Sequence, residues 1–182
     1  ELVKNIKSKG ISNFLISYFF FNNAIVSIFA FASMIAVFIF GLSESEILFL
    51  GVFINFFGII GCLIIGNFED KIGSLNAVKI CVIGLLGLTV ILFFTESYYN
   101  FWFIALLIGF FIGPIQASSR SFLAQKIKSQ NQMAAFSLYS MFGNLCSVLG
   151  PFLVGLVIEL TESIRFGILV IPAFLFLSLI PF

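Results

Sequence analysis

Six apolar runs, each near the roughly 20 helical residues that cross a bilayer core, constrain this chain more than anything else in it. They lie at about 11–40, 46–65, 77–94, 100–123, 132–158 and 164–182. Backbone groups in lipid must be satisfied within their own segment, so the runs are expected to be helices. A barrel would need alternating segments of about ten residues, and these are not seen. Only 9% of residues are charged, against the roughly 25% usual in a soluble domain. The expectation is an all-α membrane protein with six transmembrane helices. The first run is too long for the apolar core of a removable signal peptide. The chain starts at Glu1 and Phe182 lies inside an apolar run, which leads to the expectation of a fragment of a longer polypeptide.

Composition also excludes function classes. A net charge of +1 offers no basic patch for nucleic acid. There is no histidine, so zinc–histidine sites, haem ligation by histidine and serine–histidine pairs are out of reach. Cys62, Cys81 and Cys146 sit singly in apolar runs with no CxxC spacing, and read as small packing residues. No cofactor or metal site is expected.

Charge alternates between the connections. Lys4, Lys7, Lys9, Lys71, Lys79, Arg120, Lys126 and Lys128 fall on one side. Glu44, Glu46, Glu96, Glu159 and Glu162 fall on the other, with Arg165 as its lone base. Positively charged loops stay in the cytoplasm. The N-terminus and the loops 66–76 and 124–131 are therefore expected to be cytoplasmic, in a bacterial-type inner membrane.

Polar groups deep in a bilayer usually face protein or water. At about 1.5 Å per residue, Asn22, Asn23, Asn55 and Asn144 lie roughly 13–18 Å into their helices, near the midplane. Ser137, Ser140, Asn144 and Ser147 recur at spacings of 3, 4 and 3, which is one helix face. Gln116, Ser118, Ser119 and Arg120 add polar groups near the basic end of the fourth run. The third and sixth runs hold little that is polar at mid-depth, and Thr89 and Ser178 can bond their own backbone. So the first, second, fourth and fifth helices are expected to line a cavity, and the third and sixth to face lipid. Each of these polar residues taken alone also fits interhelical hydrogen bonding. Gly58 and Gly61, with the Gly109–Gly113 pair, are spaced for close helix contact. Gly113–Pro114 and Gly150–Pro151 can kink their helices.

The stretch GNFEDKIGS, residues 66–74, gathers three charges between glycines. It reads as a tight connection: Gly66 allows close packing of a helix end, and Gly73 permits a positive φ. Gly66-x-x-x-Asp70-Lys71-x-Gly73 resembles the signature loop of the major facilitator superfamily, found between the second and third helices of each six-helix half. NFLISYFFFNNAI (13–25), GNFEDKIG (66–73), GPIQASSRSFLAQ (113–125) and FSLYSMFGNLCSVLGPFLVG (136–155) together resemble the C-terminal half of the vacuole-effluxer-like, autophagy-related transporter family. The resemblance implies that residues 1–182 are one six-helix half, helices 7–12 of twelve, whose N-terminal half is absent from this chain. It implies a secondary transporter of small polar solutes, with export of amino acids, working by alternating access. The substrate cavity would use Asn22, Asn23, Asn55, Gln116, Ser140 and Asn144. Gly66, Asp70, Lys71, Gly73 and Arg120 would form a conformational latch. The family usually has Asn-Asp where this chain has Asn22-Asn23, which leaves this half without a mid-membrane acid. An intramembrane enzyme lacks a visible base here, and a scaffold subunit would need no midplane polar cluster.

Overall fold

The computed structural model describes residues 9–127 and 131–182. Lys4, Lys7, Lys128 and the side chain of Lys9 lie outside them. The described residues form seven helices: α1 Lys9–Phe38, α2 Glu44–Ile72, α3 Ser74–Phe94, α4 Tyr98–Lys126, α5 Gln132–Thr161, α6 Ile164–Ile168 and α7 Val170–Leu179. The first five are long and apolar enough to cross a membrane, and α6–α7 make a shorter apolar stretch. This is the helix content of one half of a major facilitator fold.

Local sequence explains the boundaries. Ser43 caps α2: its hydroxyl accepts from the Glu46 N–H, and the Glu46 carboxylate accepts from the Ser43 N–H at 2.7 Å. Glu44 and Glu46 add negative charge where the helix dipole favours it. At the other end α2 does not stop with its apolar run. It continues through the charged stretch to Ile72, so residues 66–76 are not a loop. Charged residues past the bilayer edge remain good helix formers, and only Gly73 breaks the helix, at φ +83°. The connection to α3 is that single residue. Gly66 is interior helix, and a Cβ there would meet nothing within 4 Å, so it serves no close packing within these helices. The last expected span is broken at Leu169 rather than continuous. Pro172 supplies no N–H to the Ile168 carbonyl and its ring crowds that group, which interrupts the ladder four residues upstream.

Packing gives two layers. In the front row, α2 packs on α4, α4 touches α1, and α1 packs on α5. Behind it α3 packs on α4, α7 packs on α1, and α3 meets α7. Exchanging α1 with α4, α2 with α5 and α3 with α7 reproduces this pattern with reversed chain direction, an inverted three-plus-three repeat. The core sits between the layers: Phe14, Phe21, Val78, Leu85, Ile115 and Leu175 are almost wholly buried. The back helices each bury one face and keep an apolar outer face, including Ile83, Ile91 and Phe176. Thr89 and Ser178 do bond their own backbone, to the Leu85 and Leu175 carbonyls. The row ends, α2 and α5, bury least.

Candidate functional site

The α2–α4 contact is built on glycine. A Cβ on Gly109 would lie 2.7 Å from the Ile54 carbonyl oxygen, and one on Gly113 would lie 2.7 Å from that of Gly58. One on Gly61 would fall 1.9 Å from the Phe110 oxygen. Pro114 has no N–H to offer the Phe110 carbonyl, so that oxygen is free to turn toward α2. Beside this seam is an open groove of about 390 Å³ that brings Asn55 and Gln116 together with Cys62, and adds Phe29 of α1. Asn55 is exposed, and its amide donates to the Gly51 carbonyl at 2.8 Å. Gln116 is half-buried.

The α1–α5 contact is polar. Asn23 is completely buried, and its amide donates to the Phe19 carbonyl at 2.7 Å and to Cys146 Sγ at 3.1 Å. The Cys146 thiol donates to the Phe19 carbonyl at 3.3 Å. Tyr18 stacks on Tyr139 with ring centroids 3.9 Å apart. Asn23, expected to line a cavity, ties α1 to α5 in this half. Adjacent helix residues differ by about 100° in azimuth, so Asn22 is less covered than Asn23. Asn22, half-buried, lies beside α5, where its amide nitrogen would be 3.9 Å from a Cβ on Gly143. Cys146 is likewise more than a filler.

On α5, Ser140 and Asn144 are exposed and line a shallow depression of about 540 Å³ with Met133, Phe136, Ser137 and Met141. Thus the expected set is divided. Asn55 and Gln116 share one groove, Ser140 and Asn144 share one face, Asn22 lies beside Gly143 of α5, and Asn23 is internal.

The charged turn is divided too. Asp70, Lys71 and Arg120 are exposed, and no hydrogen bond or ion pair joins them among the described residues. Their neighbour Glu69 is held tightly. Ser74 and Ser118 each donate to its carboxylate at 2.5 Å, and Gln125 donates to the Ser74 and Ser121 hydroxyls at 3.1 Å. Sequence reasoning missed this cluster. The available signal was the spacing of Ser118, Ser121 and Gln125, which puts three polar groups on one face of α4. At the opposite end Tyr98 donates to Glu46, joining α4 to α2, and Arg165 donates to the Thr95 carbonyl at 3.2 Å.

Comparisons with known proteins agree with this architecture. The "Uncharacterized MFS-type transporter YxiO" of Bacillus subtilis is 24% identical over 162 residues, covering 88% of this chain and 38% of its own. "Autophagy-related protein 22" of Yarrowia lipolytica is 27% identical over 190 residues, 94% of this chain and 32% of its own. Its namesake from Saccharomyces cerevisiae (strain ATCC 204508 / S288c) is 31% identical over 96 residues, 53% of this chain and 18% of its own. The chain thus spans well under half the length of the curated relatives it matches. The sequence also matches the family described as "Vacuole effluxer Atg22 like" over residues 2–182. With five long apolar helices, a sixth apolar stretch and a match across nearly its whole length, this chain belongs to the vacuole effluxer Atg22-like family.

Proposed function

We propose that these six spans form the C-terminal half of a secondary transporter that moves small polar solutes by alternating access, amino acid export included. The observation that supports this best is the front row. Its helices α1, α2, α4 and α5 carry Asn22, Asn55, Gln116, Ser140 and Asn144, while α3 and α7 turn their mid-depth hydroxyls onto their own backbone. Amide and hydroxyl groups suit a hydrogen-bonding solute better than an apolar one. A second six-helix half facing this row would close a midplane site, and the two would rock about it. The alternation of charge supports a cytoplasmic basic end. The exposed Asp70, Lys71 and Arg120 would then make and break contacts with the facing half as the cytoplasmic mouth closes.

The test is solute flux by the full-length protein in proteoliposomes, with binding measured separately. Asn55→Ala and Asn144→Ala should weaken binding by about tenfold each, the loss of one good hydrogen bond. Ser178→Ala, in the back layer, should bind as wild type. Wild-type binding in both asparagine variants would reject the front row as the solute site.

A further inference from the structure

The charged turn holds two neighbouring acids in opposite settings. Asp70 is exposed. Glu69 is drawn into the junction of three helices. Ser74, the first residue of α3, donates to one of its oxygens at 2.5 Å, and Ser118 of α4 donates to the other at 2.5 Å. Both serines are buried, at 2% and 1% exposure. The Ser74 and Ser121 hydroxyls are 3.2 Å apart, and Gln125 spans them. No lysine or arginine pairs with Glu69 among the described residues. Its charge is met by hydroxyl donors and by the N-terminus of α3, where a helix dipole favours an anion. One residue further along α2 is about 100° further round, so Asp70 cannot reach the same partners.

We infer that Glu69 is the positioning residue of this turn. It pins the last turns of α2 onto α4 and onto the start of α3, and so fixes the basic-end mouth of the Asn55–Gln116 groove and turns Asp70 and Lys71 outward. Cys62 lies seven residues before Glu69, two turns back on nearly the same azimuth, inside that groove. Loosening the pin lets α2 swing from α4 and exposes the half-buried Cys62 further. The consequence for flux rests on the transporter reading, whereas the pin itself does not.

Maleimide labelling of Cys62 in the full-length protein tests this, with any cysteines outside these 182 residues replaced. Cys81 and Cys146 are fully buried, and Cys62→Ser supplies the blank. Glu69→Ala should raise the Cys62 labelling rate by about tenfold or more, the effect of one lost charge-assisted bond. It should also lower maximal flux without moving half-saturation. Glu69→Gln keeps the shape, and serine hydroxyls can rotate to meet its amide, so it should label within about twofold of wild type. Unchanged labelling in Glu69→Ala overturns the inference, as does an equal rise in Asp70→Ala. If Glu69→Ala does not fold, Ser118→Ala decides, and a wild-type rate there overturns it. Raised labelling with unchanged flux leaves the pin standing and rejects the turn's part in transport.

Discussion

The two long seams of the front row, α2–α4 and α1–α5, are related by the internal repeat and yet are sealed differently. In α2–α4 the backbones touch through Gly58, Gly61, Gly109 and Gly113, and side-chain bonds occur only at the ends, at Glu46–Tyr98 and Glu69–Ser118. In α1–α5 two glycines come close, Gly150 against the Asn23 carbonyl and the Ser27 hydroxyl and Gly143 against the Tyr18 hydroxyl, and the helices are joined by an amide, a thiol and two stacked tyrosines. Each seam has a Gly-Pro pair, at 113–114 and 150–151. Lipid gives no hydrophobic drive for helices to associate, so contact must come from close van der Waals packing, weak Cα–H···O bonds or polar bonds. The α2–α4 seam relies on shape and the α1–α5 seam on chemistry. The first should fail when volume is added, the second when a polar group is removed.

Gly61→Ala should have the largest effect. Its Cβ would meet a backbone oxygen at 1.9 Å, and backbone cannot rotate aside as a flexible side chain can. Overpacking of this kind costs about 1–3 kcal/mol, and separation of the helices would also open the Asn55–Gln116 groove. Equilibrium unfolding of the full-length protein in mixed micelles measures it, and unfolding at the wild-type midpoint would break the contrast. Asn23→Ala should rank second, at about 1 kcal/mol, within the range for a hydrogen bond between membrane helices. If it exceeds Gly61→Ala in the same assay, the division between shape and chemistry is wrong. Gly66→Ala should be smallest. No atom lies within 4 Å of its Cβ and the site is helical, so it should be neutral or stabilising by up to about 1 kcal/mol. A loss of stability there would mean that Gly66 packs against something beyond these helices.

Much of the fold could be read from the sequence because a bilayer sets the length of what crosses it. The first five spans appear as helices where the apolar runs stand. The ends were harder. Charge in the 66–74 stretch reads as a loop, yet helix formation depends on φ, ψ and hydrogen bonding, which Glu69, Asp70 and Lys71 do not disturb. The break at Leu169 was hidden because Pro172 acts four residues upstream of itself. In the candidate site, depth was legible and azimuth was not. Asn22 and Asn23 share a level, but only the packing of α1 against α5 reveals that Asn23 is fully buried and Asn22 is not. Glu69 was overlooked for a related reason: Asp70 fills the position that the superfamily motif marks, whereas the roles of the two acids follow from which of them the α4 serines can reach. The glycines announced close contact, but not that Gly61 would meet the very carbonyl that Pro114 leaves without a donor.

The unbroken length of α2 has a mechanical consequence. Its 29 residues make a rod of about 44 Å, against a hydrocarbon core of about 30 Å. The final turns therefore project from the membrane like the handle of an oar, with Gly61 near the rowlock. A tilt of about 10° at the middle of such a rod sweeps its tip sideways by about 4 Å. The single residue Gly73 leaves no slack between that tip and α3, so the sweep is passed directly to the next helix. A modest rotation at mid-membrane thus becomes a displacement on the scale of a hydrogen bond, where Ser118 releases Glu69 or keeps it.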